Sequence, residues 1–243
     1  MCYFVEINLP RKQLEQRFDV PMPHDPRYMP GYFINAFSRP YLPVITNHDP
    51  DKIQPFTWGL IPFWVKDAKT AEKIGNSTYN ARAETIWEKP SFRDPARHKR
   101  CLVLAHGFYE YYTAPGRKIP FYIRRKDNQP FAFAGLFDKW TNPDTGEVIS
   151  AVSIITTQAN ALLEKIHNSK KRMPVILSEV TEKEWINDNL SSYGLKEMLR
   201  PSDPGELEAW SVSKQIRSPQ DSPDDESILT PEDYPETANL LKQ

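Results

Sequence analysis

Seven short runs of this chain read as β-strands, at residues 3–8, 41–46, 56–61, 100–104, 121–125, 131–137 and 151–156. They are rich in β-branched and aromatic residues, and they do not alternate with helices. Parallel strands need a crossover helix between successive members, so this pattern points away from a parallel sheet. It predicts an α+β fold, a mostly antiparallel, curled or barrel-like sheet with short peripheral helices. Residues 142–146, Asn-Pro-Asp-Thr-Gly, form a turn sequence that predicts a hairpin between the last two strands. Helical patterns are short, at 11–18, 68–74, 83–87, 159–166, 182–189 and 194–199. Thr181 followed by Glu184 has the spacing of a capping box. With 23 Pro against 9 Gly, many connections must be stiff and irregular.

The 243 residues suit one domain, and 39% apolar with 26% charged residues allow both a core and solubility. The domain is expected over residues 2–216. Residues 217–243 are rich in Ser, Pro and acids, and this acidic tail is expected to be extended or disordered. It carries seven acids and two bases, leaving 25 acids and 29 bases on the body. A mildly basic body is compatible with a nucleic-acid partner but does not require one. No apolar run reaches membrane-spanning length, and the N-terminal stretch lacks the layout of a signal peptide. The expectation is a cytoplasmic protein with no membrane partner. Its two cysteines, Cys2 and Cys101, are expected to be free thiols, and two cannot make a zinc site alone. Cys101 lies in an apolar run and reads as core.

Cys2 is chemically unusual. A small second residue permits removal of the initiator Met, which would leave an N-terminal 1,2-aminothiol. An α-amine has a pKa of about 7.7–8.0, so roughly a quarter or more is free base at about pH 7.5, far more than for Lys. It can form an imine with an aldehyde, and the neighbouring thiol can close on that imine to give a thiazolidine. Taken alone, Cys2 is more readily a chance residue on a frayed terminus. Tyr3, Phe4 and Val5, however, suggest a terminus tied into a sheet.

Other segments carry candidate chemistry. Asn80, Arg82 and Glu84 alternate, so an extended chain places them on one face, and Arg suits bidentate phosphate contacts. Glu110 is flanked by aromatics in Gly-Phe-Tyr-Glu-Tyr-Tyr, where desolvation would raise its pKa toward acid–base use. His167 ends an apolar helical pattern and precedes Lys170, Lys171 and Arg172, bases that could hold phosphates. Trp58 and Trp64 bracket an aromatic run that could stack on unpaired bases, although such runs are more often core.

Met-Cys at the start, WGLIP at 58–62, NARAET at 80–85, GFYE at 107–110 and His167 with RMPVIL at 172–177 occur in the order and approximate spacing of the SRAP family. The chain resembles these SOS-response-associated peptidases, or abasic-site processing proteins, over about residues 2–215. The resemblance implies recognition of an abasic site in single-stranded DNA, often near a single-strand/duplex junction. It further implies a thiazolidine crosslink through Cys2 that shields the lesion. The peptidase label refers to removal of the protein's own initiator Met, and lyase chemistry on abasic DNA stays open. Cys2, Glu110 and His167 match the catalytic positions, Asn80 the lesion-positioning Asn, and Arg82 a phosphate-contacting Arg. No cofactor or metal is called for, and a monomer is expected.

Two departures stand out. The family often begins Met-Cys-Gly-Arg, with an Arg that contacts DNA, whereas Tyr3 and Phe4 follow Cys2 in this chain. The family His usually sits one residue before RMP, whereas Asn168, Ser169, Lys170 and Lys171 intervene in this chain, which keeps His106 and His98 open as alternatives. Two other function classes also remain: a thiol peptidase acting on proteins through Cys2 and His167, and a non-covalent single-strand-binding module.

Overall fold

The computed structural model describes residues 2–217 and 225–241. The strands are β1 (Phe4–Glu6), β2 (Ile34–Asn35), β3 (Tyr41–Thr46), β4 (Asp49–Trp58), β5 (Asn80–Arg82), β6 (Arg100–Ala105), β7 (Gly107–Ala114), β8 (Arg117–Arg125), β9 (Phe131–Thr141), β10 (Val148–Gln158), β11 (Arg172–Pro174), β12 (Ile176–Leu177) and β13 (Leu207–Ser211). Six short helices lie between them: α1 (Arg11–Phe18), α2 (Ala68–Gly75), α3 (Arg93–His98), α4 (Ala161–Ile166), α5 (Glu179–Trp185) and α6 (Ser192–Met198). This is the α+β class expected.

Strands β10, β4, β3, β6 and β9 pair in that order, and β9 pairs back to β10, so the sheet closes into a five-stranded barrel. Closure leaves no free edge in the ring. The pairings are antiparallel except the short β4–β10 contact, which is parallel. A second sheet, β13-β8-β7-β1-β2, is antiparallel throughout. Alternate residues of the barrel strands serve two cores. Cys101, Val103, Phe131, Phe133 and Phe137 pack with Val5, Phe108, Phe121 and Ile123 of the second sheet. Leu102, Leu104, Ala134 and Leu136 pack instead with Leu14, Ile86 and Trp185. Both faces are covered, so β6 is buried at every position and after Arg100 reads as a continuous apolar run. Each large side chain buried this way contributes roughly 1.5–3 kcal/mol.

The bounds of β3 and α1 match expectation; several other elements shift for identifiable reasons. The strand read at 56–61 is β4, which begins at Asp49 and stops at Trp58. Pro50 and Pro55 hide its first half, and Gly59 at φ 113° turns the chain where a Cβ would lie 2.4 Å from the Gly75 carbonyl oxygen. Residues 83–87 form successive turns rather than a helix. The helix read at 182–189 is α5, and its capping box is Ser178 with Thr181, one turn earlier than expected.

Part of the C-terminal tail is anchored. Ile228, Tyr234 and Thr237 are buried, Tyr234 donates to the Val212 carbonyl at 3.0 Å, and Glu236 pairs with Arg117. Composition hid these few anchoring side chains among acids and prolines. Residues 218–224 and 242–243 of the expected tail lie outside the described residues.

Candidate functional site

The N-terminal strand threads Cys2 into the main core. β1 pairs with β7 through Phe4↔Tyr109, Val5↔Phe108 and Glu6↔Gly107, which brings the start of the chain beside Glu110. Cys2 is fully buried. The Asn80 side-chain amide donates to its carbonyl at 2.8 Å. Asn80 Oδ1 is buried and has no hydrogen-bond partner among the described residues. Burial, followed by the nearby Glu110 charge, pushes the Cys2 thiol far above its ordinary range, so the sulfur rests as a thiol.

Glu110 and His167 meet in this pocket, with His167 Nδ1 at 3.4 Å from Glu110 Oε2. Both are buried. Burial drives Glu110 up to about 7 and His167 down to about 4. Mutual attraction would move them the other way, so desolvation dominates: near neutrality His167 is neutral and Glu110 is about half protonated. His167 Nδ1 also lies 2.9 Å from the Arg172 carbonyl oxygen, which can only accept. The proton of the neutral ring therefore sits on Nδ1, and Nε2 carries the lone pair.

The residues between His167 and Arg172 do not displace the histidine. They fold into one turn, with the Lys170 and Lys171 amides donating to the His167 carbonyl at 3.2 and 2.8 Å and Lys171 at φ 51°. Asn168 clamps this turn to β7, accepting from Thr113 N at 2.9 Å and donating to Thr113 O at 3.0 Å. The extra length is absorbed beside the strand that carries Glu110. His106 is engaged elsewhere, with Nδ1 at 2.7 Å from Glu6 Oε2 and Nε2 at 3.2 Å from the Asn128 carbonyl. The His98 carbonyl receives the Asn47 amide and lies 2.8 Å from His48 Nε2.

The other expected residues divide. Ala81 is buried, while the exposed Arg82 next to it in β5 makes no salt bridge among the described residues. Arg172 is already committed: it holds Glu84 through two bonds of 2.9 and 3.0 Å and the Thr156 carbonyl at 2.6 Å. Arg82, Lys170, Lys171 and Arg172 line a concavity of about 500 Å³ with Gln158, Ala159 and one acid, Glu164. A larger hollow of about 650 Å³, lined by Arg17 and Glu182, contains none of the expected site residues. Trp64 and Phe63 are exposed, but Trp58 is not. As a correction to the stacking role read from sequence, Trp58 is fully enclosed and its indole N–H donates to the Tyr79 carbonyl at 2.9 Å, supporting the residue before Asn80.

Sequence reasoning missed Phe37 and Tyr79. Phe37 stands exposed and stacks on Tyr3, the residue after Cys2, and the buried Tyr79 precedes Asn80. Their significance is a contact between distant segments, and no local spacing signals it.

A sequence profile of the SOS response associated peptidase (SRAP) family matches residues 1–219. Abasic site processing protein YoqW of Bacillus subtilis is 44% identical over 197 residues, covering 80% of this chain and 84% of that protein. Abasic site processing protein HMCES of Rattus norvegicus is 30% identical over 251 residues, covering 84% of this chain and 69% of that protein. A crystal structure of a Bacteroides thetaiotaomicron protein superposes at TM-score 0.88 with 37% identity, over 95% of this chain and 100% of that one. A Bordetella bronchiseptica protein superposes at TM-score 0.73 with 25% identity, over 88% and 100% of the two chains. With a profile spanning nearly its whole length and relatives this similar, the chain belongs to the SOS response associated peptidase family.

Proposed function

We propose that this chain processes abasic sites in single-stranded DNA, capturing the ring-opened sugar aldehyde through Cys2 after Met1 is removed. The observation that carries this reading is the Asn80 amide holding the Cys2 carbonyl beside the buried Glu110–His167 pair. The α-amine attacks the aldehyde carbon, and water leaves to form an imine. The thiol then adds to that carbon: a C–S bond forms and the thiol proton ends on the nitrogen. No oxidant or reductant is consumed. Glu110, poised near neutrality, can give a proton to the departing hydroxyl and take one back, while His167 Nε2 offers a second acceptor. Thiazolidine closure consumes the imine, which removes the route to strand cleavage by elimination. Asn80 Oδ1 offers an acceptor for the freed amine.

Arg82 and the neighbouring basic concavity suit the phosphates of a strand whose lesion offers no base to read. Trp64 suits an unpaired base. We place the protein's action in the cytoplasm, as a monomer, near single-strand/duplex junctions. The peptidase step in this reading is hydrolysis of the chain's own Met1–Cys2 bond. A thiol peptidase acting on other proteins through Cys2 and His167 would instead turn over peptides in trans.

The test mixes the purified protein with abasic and intact oligonucleotides. An adduct that survives denaturation is expected with abasic strands alone, and intact mass should show a chain beginning at Cys2. Retained Met1 with salt-sensitive, reversible binding would mean a non-covalent binding module instead.

A further inference from the structure

We infer that Phe37, backed by the half-buried Tyr3 and the buried Tyr79, forms an aromatic platform that stacks on a nucleobase flanking the captured abasic nucleotide. This rests on the proposed capture of abasic DNA and specifies how the strand is held beside Cys2. Phe37 touches three rings. It stacks on Tyr3 at 5.1 Å and 26°, and meets Tyr79 at 5.6 Å and Phe4 at 6.3 Å edge-on. Despite these contacts it remains 60% exposed. A lone exposed Phe needs no explanation. A Phe fixed by three rings at the mouth of a reactive pocket presents a preorganised stacking surface.

The platform is tied rigidly to the site. Phe37 sits in a short 3-10 turn capped by Asn35, whose Oδ1 accepts from the Phe37 amide at 3.0 Å. The Ala36 amide donates to the Tyr3 carbonyl at 2.9 Å, fastening this turn one residue from Cys2. Tyr79 is held by Trp58 and by Asn76 at 3.2 Å, and it directly precedes Asn80. No cation directly follows Cys2: Tyr3 and Phe4 stand there, and Phe4 stacks on Phe33 at 4.8 Å and packs edge-on with Tyr111. Arg39 supplies positive charge close by. Its Nη2 is 3.4 Å from the Gly59 carbonyl, and a Cβ on Gly75 would lie 2.7 Å from it. Every nucleobase has a π-face, so such a platform holds a flanking base whatever its identity, which suits a lesion that can arise in any sequence.

The test is an affinity cycle on single-stranded oligonucleotides bearing an unreactive tetrahydrofuran site. Each neighbouring base is either kept or replaced by a second tetrahydrofuran. The wild-type chain should lose about tenfold in affinity when the base on one side is deleted. Phe37→Ala should lose about the same with the base present and nothing further on deletion, while Phe37→Trp should retain affinity. A Phe37→Ala chain that binds like wild type, or that still shows the full deletion effect, overturns the platform. Failure of capture reads differently. Wild type would then bind the unreactive strands yet form no adduct with reactive abasic strands, and the cycle would still decide the platform. Absence of any binding would overturn both.

Discussion

The β1–β7 strand pair carries two glutamate–histidine contacts, and they are built on opposite terms. At one end, Glu6 Oε2 lies 2.7 Å from His106 Nδ1, receives the Tyr122 hydroxyl at 3.0 Å, and Glu6 Oε1 accepts the Asn8 amide at 2.7 Å. Burial pulls His106 down, but the Glu6 hydrogen bond and charge outweigh it, and its pKa ends above the ordinary value. At the other end, Glu110 and His167 stand 3.4 Å apart and both shift toward their neutral forms. A short, multiply bonded contact supports charge, whereas a longer contact in a dry pocket suppresses it. The first arrangement locks the terminal strand in place. The second leaves a proton donor and an acceptor beside the buried Cys2.

Reaction rates should separate the two pairs most strongly. Cys2→Ala should abolish the denaturation-resistant adduct with abasic single strands. Glu110→Gln and His167→Ala should slow adduct formation by about 10²–10⁴-fold, the usual worth of a positioned acid or base. His106→Ala should leave the rate of the folded protein unchanged. Quenched time courses on denaturing gels would measure all four. Normal reaction by His167→Ala with loss in His106→Ala would exchange the roles of the two histidines.

Stability should respond with opposite signs. Glu110 has its pKa raised from 4.5 to about 7, so the folded state binds the extra proton and stability falls as pH rises through that window. Glu110→Gln removes this cost and should stabilise the protein by about 3 kcal/mol at pH 8 relative to pH 4. Glu6→Gln should instead destabilise by about 1–3 kcal/mol, because it weakens hydrogen bonds to a buried carboxylate. Urea unfolding at the two pH values checks both. Two changes of the same sign would erase the distinction between the pairs.

Part of this contrast is legible in the sequence. Glu110 among aromatics signals desolvation, and His167 stands out before a run of bases. Gly107 of the same motif has a reason that only the fold reveals: it faces Glu6 across β1–β7, and a Cβ there would lie 2.3 Å from the Tyr122 ring. The His167 assignment could not rest on spacing, because the turn that absorbs the intervening residues depends on Asn168 reaching Thr113, 55 residues away in sequence. Trp58 and Trp64 look alike in one aromatic run, yet the turn at Gly59 buries one and leaves the other exposed. Local pattern shows which residues are chemically capable. Which of them share a pocket depends on contacts between distant strands.

The smallest expected effect tests the charged pair directly. Because the folded-state pKa of His106 lies above 6.5, the protonated ring contributes stability that is fully present below 6.5 and is lost as pH rises through the folded value. The difference in unfolding free energy between wild type and His106→Gln should therefore shrink across that range. The Glu110 window runs from 4.5 to about 7 and overlaps the start of it, so the wild-type profile alone would merge the two. Repeating the comparison in the Glu110→Gln background removes the overlap. A His106→Gln difference that stays constant with pH would mean that the Glu6 contact holds a neutral ring. The two pairs would then differ in bond length but not in charge.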